Sequence, residues 1–501
     1  MILKKVLAAL AGGLLVLPAL AQYKEAPQTG EGKLVLTLDD ALKIALSENV
    51  SVKVADMEVE RQEYARKGTY ANLLPQVNAS GSFQRTIRKQ VMYMGGSSSD
   101  DDEGSGGGMS SMYASILEPI MYYIDQLVAQ HPGAIVPDVP TPSEDTGSSD
   151  SGFEVGRANT YNFGVSASMP LVNAQLWESL RISGDQVELA VEQARESRLG
   201  TVSSVKQAFF AILLAKEAYQ VYNSVFENAV ENYRLTEMRY NAQKTSELDL
   251  TRAKSNVAAA VPNLYNAENS IQLALWQLKA VMGVDLDLEM DVAGTLEDYA
   301  SQMFYDINEA SEASLDGNTQ LRQLATQSEM LARQIRTQQY AYLPTLNLAF
   351  AYSYNAMTED FDFKNYRWTP YSYVGLSLSI PIFAGGSRYH AVKQARVQAD
   401  ELDLQRVNTE RQLRIGIRQS LSTMETAMKT YDASREALAT AEKAYDIAVK
   451  TYQLGKSTLT DLNNTELTLT QAKLAVSQAI YNFVIAKAGL EQTLGYDFNE
   501  E

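Results

Sequence analysis

The stretch "YQLGKSTLTDL", Tyr452 to Leu462, contains a Gly-Lys-Ser-Thr run that resembles the tail of a nucleotide-binding loop. Such a loop needs a second glycine five positions earlier, so that backbone N-H groups can cradle phosphates before the lysine reaches them. That position is Lys450, and the preceding "EKAYDIAVKTYQ" has helical periodicity rather than the pattern of a buried strand. A second copy of the stretch, "YNAQKTSELDL" from Tyr240, aligns with it at an offset of 452 - 240 = 212. Both copies read as a helix end, a polar turn and a new helix start. Thr458 to Asp461 and Ser246 to Asp249 have the S/T-x-x-D spacing of a capping box. Gly455 suits a turn position with positive φ, whereas Gln243 holds the matching place in the first copy, a departure that predicts strain or a changed turn.

Working outward, both flanks carry heptads at the same offset. Before the turn the seam is Tyr219, Tyr222, Phe226, Ala229, Tyr233, Thr236, Tyr240 in one copy and Tyr431, Ser434, Leu438, Ala441, Tyr445, Ala448, Tyr452 in the other. After the turn it resumes from Leu250 to Leu278 and from Leu462 to Leu490. Spacings of three and four bring one apolar stripe onto a neighbouring helix, so each copy is expected to form an antiparallel helical hairpin. The ascending helices, about residues 174–241 and 386–454, would each be roughly 100 Å long at 1.5 Å per residue. Pro262, inside the first descending helix, is expected to kink it.

The duplication extends upstream. "YANLLPQVNASGSF" (Tyr70 to Phe83) matches "YAYLPTLNLAFAY" (Tyr340 to Tyr352), and "FGVSASMPLV" (Phe163 to Val172) matches "VGLSLSIPIF" (Val374 to Phe383). These segments alternate, as in Val374, Leu376, Leu378 against Gly375, Ser377, Ser379. Apolar-out, polar-in strands of about ten residues are what an outer-membrane barrel requires, though a half-buried soluble sheet gives the same alternation. Four strands, about 76–94, 160–172, 345–355 and 371–383, cannot close around a lumen, and an open edge is intolerable in lipid. The strands must be pooled between subunits. The first copy has an acidic Gly/Ser-rich insert at about 94–159, including the run Asp100 to Glu103, which lacks the spacing of a calcium loop and reads as a solvated surface segment.

Composition narrows the function classes. The first 21 residues, with Lys4, Lys5, an apolar run and Ala19-Leu20-Ala21, form a secretory signal. Its removal changes the formal charge from -18 to -20, which argues against nucleic acid as a partner. There is no cysteine and there are only two histidines, His131 and His390, so the chain offers neither a thiolate nor a histidine-based metal site. No Ser-His-Asp order or H-E-x-x-H motif suggests an enzyme, and no cofactor is expected.

Taken together, "LTLDDALKIALSEN" (Leu36 to Asn49), the two Leu-Pro strand entries, "SASMPLVNA", "LSIPIFAGGSR" and the two hairpin turns resemble the TolC-type outer membrane factors of Gram-negative efflux and secretion systems. The resemblance implies a mainly α homotrimer: long coiled-coil hairpins forming an α-barrel in the periplasm, and four strands per subunit in one 12-stranded β-barrel in outer-membrane lipid. Shorter helices, 38–73 and 305–342, would stack end to end on the descending ones. Residues 22–282 would be the first repeat, 283–304 an equatorial connector, and 305–501 the second repeat. Function would be passive conduction, with a periplasmic adaptor protein docking the tip and an inner-membrane transporter of RND, ABC or MFS type supplying energy. By the same resemblance Asp461 faces the pore gate, with Asn464 where the family has a second acid, and Tyr452 and Asp249 hold the closed-state tip links. Gln243, Lys244, Thr245, Ser246, Gly455, Lys456, Ser457 and Thr458 would form the adaptor-contact tips. Helix capping alone explains Asp461 and Asp249 equally well. The alternative reading of the whole chain is a trimeric coiled-coil adhesive stalk with a small barrel anchor, which has no need of hairpins that return to the same end.

Overall fold

A computed structural model describes residues 34–92, 153–303, 314–361 and 366–496. The signal segment, Asp100 to Glu103, most of the acidic insert, residue 304 of the connector and residues 305–313 of the expected second short helix lie outside the described residues. The chain divides into two compact units, one helical and one built from the strands.

In the helical unit, β1 (Leu34–Leu36) leads into α1 (Leu38–Glu48) and α2 (Val50–Ala71). The long α3 (Ala174–Asn241) and α4 (Glu247–Met282) form the first hairpin, and α6 (Ser387–Gln453) and α7 (Leu459–Leu494) form the second. Between them lie β6 (Met290–Val292), a 3-10 helix (Glu297–Met303) and α5 (Thr319–Tyr340). Both ascending helices begin and end within a residue of their expected limits, because heptad and turn chemistry agree at both ends. Apart from the exposed Tyr240, the seam residues are buried or half-buried. Helix α4 passes through Pro262 without interruption.

The expected helix 38–73 is two helices. Asn49 leaves helical geometry (ψ 129°), and its side-chain oxygen accepts the N-H groups of Ser51 (2.7 Å) and Val52 (3.2 Å), capping α2. Its amide nitrogen donates to the Val281 carbonyl at 2.5 Å, near the end of α4. Asn318 repeats this: it caps α5 through Leu321 N-H (3.0 Å) and donates to Thr493 O (2.7 Å) near the end of α7. Helix 305–342 is therefore also shorter than expected, since residues 314–318 form the turn that presents Asn318. Each descending helix thus abuts the N-terminus of a short helix, with unpaired carbonyls meeting a side-chain donor and opposed dipole ends in register. The C-cap glycines Gly283 (φ 74°) and Gly495 (φ 78°) sit in these junctions.

The connector adds a ladder that the sequence pattern does not announce: β1 pairs in parallel with β6, Leu34 opposite Met290 and Leu36 opposite Val292. Lys216 of α3 holds it, donating to Val292 O and pairing with Asp291, both at 2.7 Å. Beneath lies the main core, where Phe209, Ile212, Leu213, Leu278, Phe483 and Ile480 are fully buried.

In the other unit the sheet order is β2 (Gln76–Arg85), β5 (Asn159–Val172), β7 (Thr345–Thr358), β8 (Thr369–Ser379). The expected strand 76–94 is interrupted after Arg85, and Gln90–Met92 (β3) pairs separately with Phe153–Val155 (β4). Strand β8 stops at Ser379 rather than 383, because Pro381 has no N-H for a ladder. The β2–β5 register puts Val77 opposite Ala167, Ala79 opposite Val165 and Phe83 opposite Tyr161 on one face. Asn78 with Ser166 and Ser82 with Asn162 occupy the other. Every residue of β2 is exposed, and Val374, Leu376 and Leu378 are 60–71% exposed. Among the described residues, the outer strands β2 and β8 each have one edge without a partner strand.

Candidate functional site: the paired hairpin tips

The two tips share a backbone construction. In the first, Gln243 N-H donates to Tyr240 O (2.8 Å) and Lys244 N-H to Arg239 O (2.8 Å). In the second, Gly455 N-H donates to Tyr452 O (2.9 Å) and Lys456 N-H to Thr451 O (2.8 Å). These bonds close the helix end around a left-handed residue. Gly455 has φ 73°, and Gln243 has φ 57°, the non-glycine residue with positive φ among the described residues. Gln243 therefore keeps the turn's shape and bears the strain, about 1–2 kcal/mol for a side chain in that region.

Beyond each turn the expected caps form. Thr458 Oγ1 accepts Asp461 N-H at 3.1 Å, and the Asp461 carboxylate accepts the Thr458 N-H (3.1 Å) and hydroxyl (2.7 Å). In the first copy Ser246 Oγ accepts Asp249 N-H (3.1 Å), while the Asp249 carboxylate accepts the Ser246 and Thr245 hydroxyls at 2.8 and 3.1 Å. These hydroxyls, foremost those of Thr458 and Ser246, hold both carboxyls below the usual aspartate range. Asp461 and Asn464 are exposed on α7; Gln243, Lys244, Ser246, Gly455, Lys456 and Thr458 are exposed in the turns, with Thr245 and Ser457 half-buried. Ser457 accepts a bond from the Thr451 hydroxyl at 3.2 Å.

Tyr452 and Asp249 have different partners within the chain. The Tyr452 hydroxyl lies 2.8 Å from Thr236 Oγ1, which gives its own proton to Asn232 O and so accepts from the tyrosine. Arg239 donates to the carbonyls of Tyr452 (2.9 Å) and Gln453 (2.7 Å), and its guanidinium lies 4.9 Å from the Tyr452 ring centroid. A cation from the first hairpin thus closes the C-terminal end of α6, where unpaired carbonyls carry partial negative charge. A small apolar cluster of Ala253, Ala448, Tyr452, Leu459 and Leu462 packs beside it. Asp249 remains in its own tip, 3.9 Å from Arg252. From sequence, Thr236 reads only as a seam residue, and Arg239 and the buried Glu466 of α7 are passed over. The available signal was loss of copy symmetry: at the offset of 212 their counterparts are Thr451, Ala448 and Lys254. Among the described residues no His, Cys, Asp or Glu cluster is arranged to hold a metal ion, and no helix is long and apolar enough to cross a membrane.

Paired hairpins with polar tips and a sheet exposed on both faces coincide with a known sequence profile, that of outer membrane efflux proteins, matched over residues 137–284 and 310–496. This protein belongs to that family. The outer membrane protein TolC of Escherichia coli is 21% identical over 350 residues, covering 68% of this chain and 70% of the relative. The alkaline protease secretion protein AprF of Pseudomonas aeruginosa is 23% identical over 344 residues, covering 66% and 69%. The cobalt-zinc-cadmium resistance protein CzcC of Cupriavidus metallidurans is 25% identical over 321 residues, covering 61% and 72%. In fold, the chain is similar to the CmeC outer membrane channel of Campylobacter jejuni, with a TM-score of 0.65 at 17% identity over 93% of this chain and 87% of that one. The MtrE outer membrane channel of Neisseria gonorrhoeae gives 0.65 at 18% identity over 91% and 88%. This efflux family member is thus an outer-membrane protein with the fold of the solved channels.

Proposed function

We propose that this outer membrane efflux protein is a passive conduit that works as a homotrimer, with three four-stranded sheets closing one 12-stranded barrel and the hairpins of three subunits enclosing a periplasmic tunnel. The observation that carries this reading is the sheet: apolar on one face, polar on the other, exposed on both, with edges at β2 and β8 that meet no further strand among the described residues. In lipid each edge must find a strand, and three copies joined β8 to β2 satisfy both edges. The aromatic cluster of Phe83, Tyr161, Phe361 and Tyr366 at one end of the sheet suits a membrane interface. The paired halves are read as a tandem duplication joined by the connector at 283–304.

In this reading the tips form the gate. Asp461 contributes a ring of three carboxylates at its narrow end and Asn464 a neutral ring beside it. Tyr452 and Asp249 hold the hairpins in the closed arrangement, with Arg239 as the basic partner of Tyr452. The turn residues, Gln243 to Ser246 and Gly455 to Thr458, meet a periplasmic adaptor coupled to an RND, ABC or MFS transporter. Cargo is chosen by those partners rather than by the conduit, a reading supported by relatives whose names span protease secretion and metal resistance. Purified protein in a planar bilayer is expected to conduct, and chemical cross-linking is expected to stop at the trimer. A stable monomer, or a trimer that does not conduct, would sink the reading.

A further inference from the structure

Glu466 lies on α7, a little over one turn beyond Asp461, and is only 8% exposed. Its carboxylate is 3.5 Å from the Tyr445 hydroxyl of α6 and faces the Asn228 side chain of α3, a polar group that favours its ionised form. Asn228 belongs to the first hairpin and Tyr445 to the second, so one buried acid joins the two. No ion pair to Glu466 occurs among the described residues. Beside it a cleft of about 220 Å³ is lined by Tyr222 and Asn232 of α3, Asn256 and Asn263 of α4, and Asn463 of α7, and Glu466 is its one charged lining group. From α6 the neighbouring charge is Asp446, which acts on Tyr445 and is itself acidic.

The groups facing this carboxylate are thus neutral donors, with no cation to offset its removal from water. Burial raises the Glu466 carboxyl above the ordinary glutamate range, and the Asn228 and Tyr445 bonds pull it back only in part. When the hairpins separate, water reaches the carboxylate and that rise disappears. We propose that Glu466 is a proton-sensitive latch between the two hairpins: protonation tightens their contact beside the tips, and ionisation loosens it. The sign follows from linkage. An acid that binds its proton more tightly in the packed state stabilises that state fully below the ordinary glutamate value, and the contribution is lost as pH rises through the packed-state value. The matching position in the first copy is Lys254, so the device occurs once per chain.

As a control on conduction the latch rests on the channel reading above; as a contact between hairpins it does not. The chain has no cysteine, so spin labels can be placed on the full-length protein at Ser224→Cys of α3 and Thr468→Cys of α7, both exposed. Distances between labels are read from pH 7.5 to 4.5, in parallel with conductance. The expected result is a narrowing of the distance distribution on acidification, absent in Glu466→Gln, which keeps the shape without the charge. Tyr445→Phe, which removes one donor to the ionised form, is expected to raise the midpoint. An equal pH response in Glu466→Gln, or no response in the parent, overturns the latch. Labels that titrate in a protein that never conducts would leave the latch standing and remove the channel reading. Conductance with labels that ignore pH would do the reverse.

Discussion

Arg239 lies over the ring of Tyr452, 4.9 Å from its centroid, while donating to the Tyr452 carbonyl at 2.9 Å. One side chain of the first hairpin therefore grips both the ring and the helix end of the second. Arg239→Ala removes both grips and leaves two carbonyls at the end of α6 to water. It is expected to loosen the tip and raise single-channel conductance several-fold, with a local cost of about 1–3 kcal/mol. Tyr452→Phe keeps the ring and backbone contacts but leaves Thr236 Oγ1 without its donor, a smaller loss of about 1 kcal/mol. Conductance of both variants and of the double variant checks this. Additive effects would mean that the two contacts act separately.

The turn at Gln243 predicts opposite outcomes in the two copies. Gln243→Gly relieves a left-handed side chain (φ 57°) and is expected to stabilise the first tip by about 1 kcal/mol. Gly455→Gln imposes the same strain at φ 73° and is expected to destabilise the second by a similar amount. Hydrogen exchange of the amides flanking each turn reads both effects locally. Equal exchange in all variants would show that the turns set their own geometry without regard to residue type.

These tips were the most legible part of the chain, because turn chemistry is local: a helix end, a left-handed position and an S/T-x-x-D cap all lie within ten residues. The heptad seam was legible for the same reason, since its period recurs many times. Asn49 was not, because its capping of α2 interrupts a run that is helical on both sides. Its donation to Val281 joins positions 232 apart, and no local period encodes that bond. Arg239 and Glu466 belong to the same class: each is an ordinary helix-surface residue by spacing, and becomes a tip residue only when two hairpins meet. The proposed pooling of strands lies outside the single chain altogether, and its trace among the described residues is a pair of sheet edges that meet no further strand.

Because Asn49 and Asn318 make equivalent junctions, each is expected to matter to stability rather than to conduction. Asn318→Ala deletes the cap of α5 and the donor to Thr493 O together, costing about 1–3 kcal/mol. Gly283→Ala is expected to be worse, about 2 kcal/mol or more, since φ is 74° and the new methyl would sit 2.6 Å from the Glu48 carbonyl oxygen. Limited proteolysis and apparent melting temperature are the measurements. Normal conductance in whatever trimer survives would separate the junctions from the gate, and altered conductance at full stability would contradict this assignment.

Asp461 has two roles to separate, because its carboxylate caps α7 through Thr458 and, in the function proposed above, also lines the gate. Its carboxyl is held below the ordinary aspartate range, so the capping contribution is complete above the unfolded value of about 4 and is lost as pH falls through the lower folded value. Asp461→Asn retains an acceptor for the Thr458 N-H while removing the charge, and Asp461→Ala removes both. If the charge gates, both variants raise conductance or weaken block by cations to the same degree. If the carboxylate only caps, conductance is unchanged and Asp461→Ala alone loses stability. Asn464→Asp supplies the complementary test, since a second ring of three acids one turn further along is expected to strengthen cation block with little effect on the cap. Measuring the three variants in one bilayer series, at fixed salt because exposed charges are screened over roughly 10 Å, makes the comparison decisive: a block that follows carboxylate number assigns the gate to charge, and a block indifferent to it assigns Asp461 to the helix alone.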